Sequence, residues 1–252
     1  MAASAAGRLS RTRASGVLLL VALLALWQVS ALYWVASPNW PTVTRIAAGF
    51  GSEELPAVFG SSLYRMLSGY ALGTAAALVT GLAMASSRLV HAALEPAMEL
   101  LRPIPVPAII PPLILLLGVD DAMKIFIVAF SAFFPVLVNT IAGVRAVDPV
   151  AVNVARTFGY GRLGTALRVV LPASLPYVLA GMRVSLALAL IVTVVAEMLA
   201  GSSGIGYYIM TMQYALRASD MYAAIFLLAA LGYALNRGFL AIERRILHWY
   251  HL

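Results

Sequence analysis

Residues 153–172 hold the densest set of groups in the chain that could act outside a hydrocarbon. They are Asn153, Ala155, Arg156, Thr157, Phe158 and Gly159, followed by Leu171 and Pro172. The stretch is polar, basic and broken by glycine, and it lies between long apolar runs. Such a composition suits docking rather than catalysis. Pro149–Phe158 has helical composition after a proline start, with Val152, Ala155 and Phe158 at three-residue spacing on one face. Gly159-Tyr160-Gly161 ends that helix, because glycine suits helix C-termini. Leu163–Val170 reads as a second short helix, ended by Pro172. A helix–turn–helix of this kind offers Arg156 and Phe158 either to a groove in a partner protein or to lipid headgroups, where arginine is also favoured.

The remaining chemistry is sparse. Gly201-Ser202-Ser203-Gly204 has the pattern of a serine nucleophile. An intramembrane serine hydrolase needs a general base beside that serine, usually histidine. The three histidines, His91, His248 and His251, all fall outside the apolar runs. A turn into a re-entrant segment over Ile205–Met212 is the better reading. There is no HExxH and no cysteine, so no metal constellation is expected. There is no GxxxxGK[ST] either, and Lys124 is the one lysine, so the chain has no P-loop for ATP. Glu197 lies near the end of an apolar run. An ionisable residue there is a functional candidate, while its nearness to the interface equally fits a structural group reaching water. Asp120, Asp121 and Lys124 read as a solvated cluster in a tight turn.

These groups are carried by a strongly apolar chain. It has 252 residues, 62% of them hydrophobic and 11% charged, with a mean hydropathy of +0.93. A soluble domain is about 45–50% apolar and about 25% charged, so a polytopic all-α membrane protein is expected. The net charge of +7 does not indicate nucleic acid, because the basic residues cluster in short segments between apolar runs. Six runs approach the roughly 20 residues that span a bilayer. They are Gly16–Ala36, Ser61–Ala85, Leu100–Gly118, Ala122–Val144, Val178–Ala200 and Met221–Leu240. The first is longer than a signal-peptide core and ends in Tyr33-Trp34, which favours a retained helix. With six spans, 13 of the 17 basic residues fall on one side, including Arg8, Arg11, Arg13 and the 149–172 loop. The positive-inside rule then places both termini in the cytoplasm.

Two spans have internal features. Gly69, Gly73, Ala77, Gly81 and Ala85 form a small-residue stripe, read as close packing within one subunit in preference to a dimer contact. The third span opens Arg102-Pro103-Ile104-Pro105-Val106-Pro107. Proline breaks regular helix, and irregular backbone at membrane depth is tolerated where protein or a water-filled path covers it. A cavity lining and a buried kink are both compatible with these prolines.

The 153–172 spacing resembles the EAA loop (EAA-x3-G-x9-I-x-LP) of bacterial ABC importer permeases, with Gly159, Val169, Leu171 and Pro172 at the expected offsets. Leu101-Arg102-Pro103-Ile104-Pro105, Phe133-Phe134-Pro135 to Asn139-Thr140, Ala196-Glu197-Met198 with Gly204-Ile205-Gly206, and Glu243-Arg244-Arg245 with Trp249 resemble, in order, stretches of the nitrate, taurine and aliphatic sulfonate permeases. The resemblance runs from about residue 60 to the end. It implies a type I ABC importer permease fold with six transmembrane helices, in a single domain over 1–252. That domain would comprise an N-terminal helix at 16–36, core helices over 61–240 and a coupling loop at 149–172. It further implies a non-catalytic subunit of the bacterial inner membrane that passes a small solute. Its partners would be two cytoplasmic ATP-binding subunits carrying ATP and Mg, a second permease copy as a homodimer, and an extracytoplasmic substrate-binding protein. The coupling residues would be Asn153, Ala155, Arg156, Thr157, Phe158, Gly159, Leu171 and Pro172. Arg102, Pro103, Pro105, Pro107 and Glu197 would line the path. Asn153 stands where the family usually has glutamate, and a neutral amide makes no charge-assisted bonds of the same kind. An ion-coupled carrier is disfavoured, since spans one, four and six show no ionisable residue between their ends.

Overall fold

The computed structural model describes residues 2–35 and 37–249, with side chains from Ser15 onward. Arg8, Arg11 and Arg13 of the charge pattern, and Ala36 at the end of the first span, lie outside the described side chains. The described residues are helical, with no strands. The helices are α1 (Ala2–Val29), α2 (Val43–Gly49), α3 (Leu55–Ser86), α4 (Arg88–Leu101), α5 (Val106–Leu117), α6 (Asp121–Arg145), α7 (Pro149–Thr157), α8 (Arg162–Thr165), α9 (Leu171–Ala200), α10 (Ile205–Tyr214) and α11 (Ala218–Ile246). π-helical turns extend α1 over Ser30–Trp34 and join α8 to α9 over Ala166–Val170.

Among the described residues, five segments are long and apolar enough to cross a membrane: Ser15–Trp34, Leu55–Ser86, Asp121–Arg145, Arg162–Ala200 and Ala218–Ile246. The third expected span needs correction. No continuous helix covers Leu100–Gly118. Leu100 and Leu101 end α4, and α5 begins only at Val106, after a 98° bend. Pro103, Pro105 and Pro107 remove three backbone donors within five residues, which no regular helix absorbs. Counting the bent pair as one span gives six. The expected stop at Pro172 also needs correction. Helix runs from Arg162 to Ala200, and Pro172 sits in the first turn of α9. Proline at that position needs no N–H within the ladder, and the preceding π-helical turn takes up the change of register.

By their contacts the residues fall into two compact units. The smaller comprises residues 1–55 and 208–227. Its centre is aromatic: Trp27 stacks on Trp40 at 4.4 Å, and Tyr222 meets Trp27 edge-on at 5.4 Å. Both indoles are tied down, Trp27 Nε1 donating to the Pro41 carbonyl and Trp40 Nε1 to Ser30 Oγ, each at 3.0 Å. Rings that are both stacked and hydrogen-bonded hold their positions closely.

The larger unit, 56–207 and 228–252, is built on α3, α6 and α9. Small residues let these helices touch. A Cβ on Gly69 would lie 2.6 Å from Val128 Cβ, and one on Gly81 would lie 2.9 Å from Thr140 Cβ. One on Gly73 would strike the Ala129 carbonyl. The small-residue stripe therefore packs α3 on α6 within one chain. On the other side of α6, a Cβ on Gly143 would lie 2.7 Å from Tyr177 Cβ of α9, and a Cβ on Gly181 of α9 would lie 2.7 Å from Asn139 Cβ of α6. Met66, Ile110, Met123, Ile127, Val128, Ala189 and Ala196 form the apolar core between these helices.

Candidate functional site

Three places in the larger unit carry the groups singled out in the sequence. The first is the loop. Asp148 caps α7 by accepting from the Val150 N–H at 2.8 Å, and Pro149 occupies the first turn. The far end closes with the Gly159 N–H on the Arg156 carbonyl (2.9 Å) and the Tyr160 N–H on the Ala155 carbonyl (3.1 Å). Gly159 has φ +80°, the left-handed conformation that this helix ending requires and glycine adopts without cost. Phe158 follows the last residue of α7. It therefore does not share the face of Val152 and Ala155, as the three-residue spacing had suggested. Ala155 is buried, whereas Phe158 is 79% exposed. Asn153, Arg156 and Thr157 are exposed beside it, and Thr157 Oγ1 donates to the Asn153 carbonyl. Arg168 lies 5.0 Å over the Tyr160 ring. Leu171 is exposed and Pro172 half-buried, both at the start of α9.

The second place is a cavity of about 420 Å³ where the α4–α5 break meets α6 and α9. Arg102, Ile104, Phe134, Asn139, Val184 and Leu188 are among its walls. Arg102 is the one charged side chain there, and it makes no ion pair among the described residues. Pro103, Pro105 and Pro107 shape the break and are not on the wall. Glu197 is not on it either.

Glu197 belongs to the third place, a buried polar network at the other end of α9 from the loop. Its side chain is fully buried. Its carboxylate accepts from Arg65 Nη1 at 2.8 Å, from Ser62 Oγ at 2.7 Å and from the Gly206 N–H at 3.0 Å. Arg65 also donates from Nε to Asp121 (2.7 Å), from Nη1 to the Ser203 carbonyl (2.9 Å) and from Nη2 to Ser203 Oγ (2.7 Å). Ser62 Oγ accepts the Ile205 N–H at 2.7 Å. Gly201, Gly204 and Gly206 pack so closely on Glu197 that a Cβ on any of them would collide with it. The serine-hydrolase pattern thus has a structural origin. Gly204 makes room for the buried carboxylate, and Ser203 is held by an arginine rather than activated by a base. Glu197 reaches neither water nor the cavity, so it is not the structural group in contact with water that its nearness to the interface had suggested. The solvated cluster expected at 120–124 is corrected at Lys124, which is buried in α6, while Asp120 and Asp121 are exposed and Asp121 also pairs with Arg65. Sequence reasoning did not single out Arg65 or Ser62. The available signal was Arg65 itself, an unexplained cation inside an apolar run.

The comparisons with known proteins agree with this architecture. Residues 69–248 match the family model described as a binding-protein-dependent transport system inner membrane component. A Bacillus subtilis (strain 168) protein named as an aliphatic sulfonates transport permease, SsuC, is 34% identical over 99% of this chain and 98% of its own length. The taurine transport system permease protein TauC of Escherichia coli (strain K12) is 29% identical over 80% of this chain and 74% of its own. The nitrate import permease protein NrtB of Leptolyngbya laminosa is 32% identical over 72% and 66%. Among solved structures, an inward-facing conformation of the MetNI methionine ABC transporter superposes with a TM-score of 0.70. It covers 77% of this chain and 99% of its own at 16% identity, a likeness of fold alone. A chain with these relatives, this helical fold and no nucleotide-binding motif of its own belongs to the binding-protein-dependent transport system inner membrane components, the non-catalytic permease subunits of ABC importers.

Proposed function

We propose that two copies of this chain form the translocation pathway of an ATP-driven importer, with both termini and the 149–172 loop in the cytoplasm. Two separate ATP-binding subunits, holding ATP and Mg, dock on that loop, and a substrate-binding protein delivers solute from the opposite side. The single observation carrying the reading is Phe158, an aromatic ring 79% exposed at a turn fixed by Gly159. Water alone does not favour such a ring, and a buried aromatic anchor is commonly worth about 2 kcal/mol or more at an interface. Asn153, Ala155, Arg156, Thr157, Leu171 and Pro172 frame it as the coupling surface. Alternating access would turn movement of this loop into movement of the helices behind it.

The solute we assign is a small anion. Relatives are named for aliphatic sulfonates, taurine and nitrate, and Arg102 is the charged side chain on the cavity wall. The proline break places Arg102 there, so Pro103, Pro105 and Pro107 act on the path through backbone shape.

The test is pull-down of the ATP-binding subunit, together with solute uptake, at matched membrane levels of permease. Phe158→Ala and Gly159→Asp are expected to abolish uptake and reduce co-purification of the ATP-binding subunit while the protein still inserts. A loop resting on lipid headgroups predicts instead that the ATP-binding subunit stays attached to the Phe158→Ala variant. Undiminished pull-down and uptake in both variants would remove the coupling role from this loop.

A further inference from the structure

Arg102 lines two neighbouring cavities. One is the cavity of about 420 Å³ described above, and the other, of about 170 Å³, is walled by α3, α4 and α6. The two share Arg102, Phe134 and Val138. The smaller adds three titratable side chains that the larger lacks, His91, Glu95 and Glu99, all on α4. Helical backbone continues from them as far as Arg102, whose N–H bonds the Met98 carbonyl at 3.0 Å and whose φ and ψ are −59° and −43°. His91, Glu95, Glu99 and Arg102 follow one another at intervals of three or four residues and so share one helix face.

The two carboxylates differ. Glu95 has a partner, since it meets His91 Nε2 at 3.1 Å. Glu99 makes no ion pair among the described residues, and neither does Arg102. A carboxylate three residues before an arginine on one helix face is placed to pair with it, and that order suits the helix dipole. Here both members are exposed and the pair stands open.

A site on a transport path must hold its ion well enough to admit it and weakly enough to let it go. A guanidinium meeting an anion makes charge-assisted hydrogen bonds, and no other charge on the wall of the larger cavity opposes that hold. A buried arginine–carboxylate pair would err the other way, because opening it leaves a charge desolvated. An exposed pair of helix neighbours is weak, so it opens to an arriving anion and closes as the anion moves off. Resting on the reading of Arg102 as the partner of the solute anion, we infer that Glu99 is a positioning residue that competes with the anion for Arg102 and keeps the hold reversible. Glu95, tied to His91, takes no part.

The chain has no cysteine, so Val138→Cys, on the wall common to both cavities and 38% exposed, gives the permease a single thiol. The experiment uses the whole transporter, permease with its ATP-binding subunits in lipid nanodiscs. N-ethylmaleimide, an uncharged reagent, labels the thiol while nitrate or methanesulfonate is titrated as the protecting anion at constant ionic strength, and labelling of the permease alone is measured. In this background Arg102→Gln should raise the half-protecting concentration about tenfold or more, the loss of a hydrogen bond from a charged donor. Glu99→Gln should lower it about two- to fivefold. Glu99→Asp should restore the starting value, and Glu95→Gln should leave it unchanged. A merely structural role for Glu99 would not tighten protection. An unchanged concentration in Glu99→Gln, or an equal fall in Glu95→Gln, overturns the inference, while the Arg102→Gln effect leaves the anion reading standing. Protection that survives Arg102→Gln, or no protection by either anion, defeats the anion reading and this inference with it.

Discussion

Replacing Glu197 by leucine takes the central acceptor out of the buried network. Three donors converge on that carboxylate: Arg65 Nη1, Ser62 Oγ and the Gly206 N–H, at 2.7 to 3.0 Å. Breaking a buried ion pair from one side costs about 3–5 kcal/mol, because the remaining charge stays desolvated. Arg65 keeps Asp121 at 2.7 Å, but that carboxylate is 52% exposed, so its water-screened offset is below about 1 kcal/mol. The expected loss for Glu197→Leu is therefore about 3 kcal/mol. Glu197→Gln keeps the volume and one acceptor, yet turns an amide donor towards another donor, and should lose about 2 kcal/mol. The informative variant is Arg65→Met with Glu197→Leu. It removes both buried charges together, so it should be no less stable than Glu197→Leu alone, the two changes coupling by about 2 kcal/mol or more. The readout is heat-induced loss of the monodisperse species in detergent, followed by size-exclusion chromatography and compared as a rank order, because membrane-protein unfolding of this kind is irreversible. If Glu197→Leu matches the unmodified chain, or if the double variant shows the sum of the two single losses, the network is not the coupled unit described above.

Gly181→Ala should cost about 1–3 kcal/mol by driving a Cβ into Asn139 and the Pro135 carbonyl. Gly60→Ala in α3, where nothing lies within 4 Å, should instead stabilise by about 0.5–1 kcal/mol, and the same heating assay compares the two. Ser203→Ala should lose one bond to a charged donor, about 1.5 kcal/mol or more. Solute uptake should survive that change, and a serine-directed fluorophosphonate should label neither form. Reporter fusions after Leu252 or inside 149–172 should read cytoplasmic, and fusions at Gly51 or Ser202 external. Any inversion among the four overturns the orientation.

Much of the fold is legible along the chain because its determinants are local. Hydropathy over about 20 residues marks the membrane helices whatever they pack against. The loop was readable for the same reason. Asp148-Pro149 starts α7 and Gly159 ends it through contacts only a few residues apart. The family motifs in the third span, the fourth span and the C-terminal tail could likewise be recognised from short stretches. Local signals fail where two local tendencies compete. The apolar run at 100–118 reads as one span, but the prolines within it decide the backbone and bend it. At Pro172 the outcome is reversed, since a π-helical turn lets the helix continue through a residue that usually ends one.

Length, hydropathy and short motifs are properties of neighbouring residues, so the sequence alone marks this chain as a membrane-spanning helical permease. What Glu197, Arg65 and Ser203 contact is set by the tertiary fold. Arg65 lies 132 positions from Glu197 and 138 from Ser203 along the chain, and no periodicity links residues at that separation. Whether a buried charge serves transport or holds helices together depends on the partner that reaches it, and folding alone brings Arg65 to Glu197.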